Sequence, residues 1–224
     1  MILMSAFAEK YRSVWNKRYI YAVLAAFGFL ACALIINFYA AKYATLESSS
    51  PVTDIILSNT RVYDVDVLFV YGPILFWIIV SILFISEPKA IPFGLKSIAL
   101  FVVIRSVFIT LTHIGPFPTQ VTIDSTGLAV RFLGADLVRT FFTGNDLFFS
   151  GHTGLPFLLA LIFWNRKYLR YFFIAASVFF GVIVLLGHLH YSIDVLSAFF
   201  ITYSIYKIAE RFFDTDRALF LKEN

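Results

Sequence analysis

Two short polar stretches interrupt an apolar C-terminal half: Ser150-Gly151-His152-Thr153 and His190-Tyr191-Ser192-Ile193-Asp194. Ionisable side chains at the start of an apolar helix are expensive to hold there, so they are read first as functional. His190 and Asp194 stand at i and i+4, which on a helix puts both on one face about one turn apart. The carboxylate can then accept from one ring nitrogen, fix the tautomer and make the other nitrogen more basic, the orienting arrangement of a catalytic histidine. A structural polar pair has the same spacing. In Ser-Gly-His-Thr the glycine permits close backbone approach, and the hydroxyls of Ser150 and Thr153 can either hold a phosphate oxygen or cap the helix that follows. His152, His190 and Asp194 are the candidate catalytic residues, and phosphoryl transfer is the chemistry they fit.

Arg105 lies well inside a third apolar run. A guanidinium cannot be neutralised, so it is expected to face the bundle interior and an anion, with a structural ion pair as the plainer role. Arg131 and Arg139 are weaker candidates for phosphate contacts, since loop arginines are more often solvated. Phe149, Tyr191 and their aromatic neighbours Phe141, Phe142 and Phe148 offer ring faces to a quaternary ammonium, with Asp146 as counter-charge, or simply form an interfacial belt. His188 lies off the His190 and Asp194 face, and His113 ends the third run. The histidines show no HExxH and no Cys/His cluster, so metal-independent chemistry without a cofactor is expected.

The elements that must position these residues follow from composition. At 60% hydrophobic and 14% charged, with a mean hydropathy of +0.83, 224 residues carry more apolar surface than a soluble domain can hide. The net charge of +4 is too small to argue for nucleic acid. Cys32 is the only cysteine, so an internal disulfide is excluded. Continuously apolar runs of about 20 residues, the length that crosses roughly 30 Å of hydrocarbon, occur near Tyr19 to Tyr43, Val67 to Ile85, Leu95 to Thr112, Leu147 to Trp164, Leu169 to Gly187 and Leu189 to Ile208. They predict an all-α integral membrane protein, six helices in one bundle and one domain over residues 1–224. Basic residues concentrate at the N-terminus, between Ser86 and Lys96, between Asn165 and Arg170, and after Lys207, which predicts that both termini are cytoplasmic. The site would then face the other way. The long connection from His113 to Phe149 is punctuated by glycine and proline, with a short surface helix expected around Ala129 to Phe142. The Ala44 to Asp66 connection suggests no chemistry.

Phe148-Phe149-Ser150-Gly151-His152-Thr153 together with His190-Tyr191-Ser192-Ile193-Asp194-Val195 resembles the two C-terminal motifs of the sphingomyelin synthase family, within the wider type 2 phosphatidic acid phosphatase superfamily. Arg105-Ser106 through Thr112 to Pro116 and Pro118 is similar to that family's arginine-containing third span, and Gly144-Asn145-Asp146 to the Gly-Asp preceding its Ser-Gly-His-Thr. The likeness covers a core of about residues 96–206. It implies transfer of a phosphocholine or phosphoethanolamine head group from a glycerophospholipid to a lipid hydroxyl such as ceramide, so membrane phospholipids and a lipid acceptor are the expected partners. In that scheme His190 attacks phosphorus, Asp194 orients it, His152 acts as acid and then base, and Arg105 offsets phosphate charge. Lipid phosphatases of the superfamily carry an arginine six residues before the nucleophilic histidine; Val184 stands there. Hydrolysis at the same site and non-catalytic lipid binding are the competing functions.

Sidedness is directly testable. A Thr126→Cys variant is expected to react with an impermeant thiol reagent added outside intact cells, and labelling only after permeabilisation would invert the topology.

Overall fold

The computed structural model describes residues 9–12, 14–121 and 147–222. Among these the chain is helical, with α1 (Lys17–Leu46), α2 (Asp66–Ser86), α3 (Ile91–Leu111), α4 (Gly151–Ile162), α5 (Lys167–Leu186), α6 (Ser192–Phe212) and a short α7 (Asp214–Leu221). Five of them, α1, α2, α3, α5 and α6, are long and apolar enough to cross a membrane, α3 together with the 3-10 turn Pro88–Ala90 before it. The expected surface helix around Ala129 to Phe142 lies outside the described residues.

The fourth run departs from expectation. Leu147 to Phe149 is apolar, yet helix starts only at Gly151, and α4 has 12 residues. At about 1.5 Å per residue that is roughly 18 Å, well short of the hydrocarbon thickness. Two interactions set its start: the Phe149 carbonyl accepts from Arg105 Nε at 2.8 Å, and Ser150 adopts extended backbone as the N-cap. The sixth run likewise begins later, at Ser192, and extends further, to Phe212.

Packing is organised around α3 and α4. α1 lies along α3 through a stripe of small residues, Ala26, Ala33, Ala40, Ala41 and Ala44, all buried. Small side chains let two backbones approach where lipid offers no hydrophobic drive for association. Asn37 joins that seam, its Oδ1 accepting from the Ser106 hydroxyl at 3.4 Å. α4 contacts α3, α5 and α6 and is the central element. It fits because Gly154 has no side chain: a Cβ there would stand 2.7 Å from the Phe101 ring on α3 and 2.8 Å from Thr202 Oγ1 on α6. Gly181 serves α5 in the same way, where a Cβ would meet Thr153 Oγ1 and Val195 at 3.2 Å.

The helices alternate in direction, so the connections segregate to two ends. One end joins Lys10 and Arg166 to Glu87, each at 2.9 Å, and Lys96 to Asp216 at 2.5 Å. The other holds the 47–65, 112–121 and 187–191 connections, bonded to one another through Ser49 N–H to His113 O (2.8 Å), Tyr63 N–H to Leu186 O (2.9 Å) and Val121 N–H to Gly187 O (3.1 Å). The Ser49 hydroxyl also donates to His113 O. A side chain at Gly115 would run into the Ser49 carbonyl, so these connections are closely packed.

Gly154→Ala is expected to lower stability in detergent by about 1–3 kcal/mol through overpacking. Gly28→Ala, where a Cβ meets nothing within 4 Å, should leave the unfolding midpoint unchanged or slightly raised.

Candidate active site

Two helix N-termini meet at the end that carries the three packed connections. The Ser150 N–H donates to the Asp194 carbonyl at 3.1 Å, so the start of α4 is tied to the first turn of α6. Ser150 caps α4, its Oγ accepting from Thr153 N–H at 3.4 Å and from Thr153 Oγ1 at 3.3 Å. Both hydroxyl residues are fully buried, and the Thr153 carbonyl accepts from Ser177 Oγ on α5 at 2.7 Å. Of the two roles expected for Ser150 and Thr153, capping is the one this geometry displays. His152, the second residue of α4, stands among Phe69 of α2, Phe180 of α5 and His190 in the link before α6.

His190 is not on a helix face with Asp194. It precedes α6 by two residues, in the link whose Leu189 and His190 N–H groups donate to the Val184 carbonyl at 2.8 and 3.4 Å. The turn at Tyr191 still brings His190 Nδ1 to 3.5 Å from Asp194 Oδ2. That exceeds a good hydrogen bond. The same oxygen accepts from the Tyr191 N–H at 2.9 Å, so Asp194 at N3 closes the first turn of its helix while standing beside the imidazole. His190 Nδ1 and Asp194 Oδ1 are buried with no hydrogen-bond partner among the described residues. Native structures rarely leave buried polar atoms so, except where a group is kept for chemistry or a ligand. The His152 and His190 rings are 6.3 Å apart between centroids, and Phe69 of α2 covers His152 at 4.6 Å.

Residues 143–211 match the family model described as PAP2 superfamily C-terminal. The match supports the type 2 phosphatidic acid phosphatase superfamily, and with it lipid phosphoryl chemistry of the phosphatase or phosphotransferase kind in an integral membrane protein. It does not single out the sphingomyelin synthase branch. No curated protein and no solved structure matches the chain.

Arg105 lies outside the matched segment in sequence but against it in space. It is 8% exposed, its Nε bonds the Phe149 carbonyl, and a Cβ on Gly151 would stand 3.3 Å from that nitrogen. The glycine therefore lets the guanidinium reach the N-terminus of α4. Val184, at the position where superfamily phosphatases carry an arginine, is fully buried among Val65, Phe69, Val70, Ile183, Leu189 and Val195.

The aromatic candidates sit elsewhere than their types imply. Phe149 is fully buried between Phe101 (5.3 Å) and Phe108 (5.8 Å) on α3. Tyr191 is 1% exposed, with Phe117 edge-on at 5.8 Å, and its hydroxyl donates to Gly115 O at 2.8 Å and accepts from Val52 N–H at 3.2 Å. It fastens two outer connections to α6. His188, also buried, bonds Thr119 Oγ1 through Nδ1 at 2.6 Å, and His113 bonds Thr110 O and meets the Tyr43 ring at 5.3 Å. Arg131, Arg139 and Asp146, with Phe141 and Phe142, lie outside the described residues.

Sequence reasoning passed over Asp54. It is 7% exposed, Oδ1 accepts from Ile56 N–H (2.8 Å) and Leu57 N–H (3.0 Å), and Oδ2 accepts from Ser192 N–H (2.7 Å). The short bonds to Ile56 and Leu57 follow from an Asx turn, which an aspartate in a Ser-Pro-rich connection signals. The bond to Ser192, 138 residues away, has no sequence signature. Burial raises the carboxyl pKa, but the hydrogen bonds from Leu57, Ser192 and Ile56 outweigh it and hold it below the usual value. Because the folded value lies below the unfolded one of about 4, the stabilisation is complete above about pH 4 and is lost as pH falls through the folded value. Thermal melts of detergent-solubilised protein at stepped pH should therefore show an acid decline that Asp54→Asn makes shallower. An unchanged decline would remove Asp54 from the acid response.

Proposed function

We propose that this chain is a membrane-embedded lipid phosphotransferase of the sphingomyelin synthase type. The observation that carries the proposal is the placing of two imidazoles 6.3 Å apart between ring centroids, with a carboxylate behind one and a guanidinium beside the other's helix terminus. The reaction requires phosphorus to come within roughly 3–3.5 Å of the attacking nitrogen of one ring, with its ester oxygen within hydrogen-bond reach of the other.

His190 attacks phosphorus through Nε2, the nitrogen turned away from Asp194, forming the P–N bond as the P–O bond to the diacylglycerol oxygen breaks. His152, protonated, gives its proton to that oxygen. In the second half the neutral His152 takes the proton of a lipid hydroxyl, whose oxygen attacks phosphorus and releases His190. Asp194 stabilises the positive imidazole, and the 3.5 Å separation is one that closes in a complex. The N–H groups at the start of α4 and the Arg105 guanidinium meet the phosphate charge. The superfamily match supports phosphoryl chemistry, and the apolar packing of Val184 weighs against the phosphatase pattern. The end that carries the site is the one poor in lysine and arginine, which supports a non-cytoplasmic site and cytoplasmic termini.

The deciding experiment reconstitutes the full chain in liposomes with head-group-labelled phosphatidylcholine and phosphatidylethanolamine plus ceramide and diacylglycerol. Label should appear on a second lipid with the native chain and disappear with His190→Ala. Asp194→Asn should fold yet lower kcat roughly 10²- to 10⁴-fold. Label released into water would make the enzyme a hydrolase, and identical lipid profiles for the native chain and His190→Ala would make it a non-catalytic lipid binder.

A further inference from the structure

We infer that Asp54, in the connection between α1 and α2, is a positioning residue for the nucleophile: it supplies from outside the cap that α6 lacks, and thereby fixes the backbone that aims His190. The inference rests on the role proposed above for His190.

The first residues of a helix have N–H groups with no partner inside it, and Ser, Thr, Asp or Asn at the N-cap usually provides one. At α6 the N-cap is Tyr191, whose hydroxyl is engaged at Gly115 and Val52, far from its own helix. Asp194 reaches back to the Tyr191 N–H but leaves that of Ser192 unanswered. Asp54 Oδ2 answers it at 2.7 Å. A buried carboxylate at a helix N-terminus is favoured by the peptide dipoles as well.

The consequence for His190 follows from where the link is held. His190 N–H goes to the Val184 carbonyl, but at 3.4 Å this is the weakest of the group. Tyr191 N–H is held by Asp194 and Ser192 N–H by Asp54, so the two residues after His190 are each fixed by a carboxylate. Asp54 is itself clamped by Ile56 and Leu57 N–H groups on its other oxygen. Removing the outer carboxylate lets the first turn of α6 relax, and Asp194 shifts relative to His190. A displacement of about 1 Å in a reacting group can cost on the order of 100-fold in rate.

Asp54→Asn separates this role from simple loop folding. The amide oxygen keeps the local turn to Ile56 and Leu57, while the NH₂ faces the Ser192 N–H, donor against donor. Asn59→Ala is the control: it removes a bond from the Asn59 side chain to Ile55 O in the same connection and touches nothing on α6. The experiment measures kcat and KM in liposomes for the native chain, both variants and His190→Ala, normalised to folded protein, with hydrogen–deuterium exchange on residues 190–195 and 151–162. Expected are a kcat at least tenfold lower for Asp54→Asn with KM within about threefold, faster exchange confined to residues 190–195, and native kinetics for Asn59→Ala. A kcat within twofold of native, or equal losses in both variants, would overturn the inference while His190→Ala still distinguishes an active enzyme. If the native chain turns over no lipid, it is the functional proposal that falls, and exchange alone then decides: faster exchange at residues 190–195 in Asp54→Asn supports positioning of this link, and unchanged exchange overturns it.

Discussion

The hydrogen bond from Ser150 N–H to the Asp194 carbonyl holds the arrangement together, because it joins two helix N-termini that sequence separates by more than 40 residues. Helix N-termini carry partial positive charge and unpaired N–H groups, so placing two side by side is unfavourable unless each is capped. Here Ser150 caps one with its own hydroxyl, and the other is served by Asp194 from within and Asp54 from outside. The same three acceptors stand in the turns that carry the two imidazoles, His152 in the first turn of α4 and His190 in the link before α6.

The long helices were legible because a continuous apolar run of about 20 residues has few other ways to satisfy its backbone in lipid. Helix starts were less so. Leu147-Phe148-Phe149 is as apolar as the runs that do form helix, and what removes it is the Phe149 carbonyl bonded to Arg105, a residue 44 positions earlier. His190 and Asp194 were found by their spacing, though they meet through a turn rather than along a helix, since the chain enters α6 at Ser192. Two tyrosine hydroxyl bonds and one aspartate bond, each made across the fold, gave no local pattern. An aromatic next to a histidine reads as a ring face, whereas Tyr191 is used for its oxygen.

Close approach is the other recurring device. Gly154, Gly181 and Gly151 remove side chains where α4 meets Phe101 and Thr202, where α5 meets Thr153, and where the Arg105 guanidinium meets α4. Alanines do the same along α1. The bundle thus draws its tightest contacts around the shortest helix, and van der Waals packing substitutes for the hydrophobic drive that lipid does not provide.

The shortness of α4 sets a depth. Its C-terminal end leads into the 163–166 turn at the basic end of the bundle, so its N-terminus rises only about 18 Å of the roughly 30 Å of hydrocarbon. Arg105, 14 residues along α3 from the same end, comes to a similar height of about 21 Å. With the 163–166 turn at one surface of the hydrocarbon, the imidazoles lie about 10 Å below the other, on the side of the outer connections. For the phospholipid substrate proposed above, whose acyl chains stay in the leaflet, the phosphate would have to sink and lose part of its hydration to reach them. The desolvation that slows entry of so polar a group also lowers the local dielectric in which the charges of the site act.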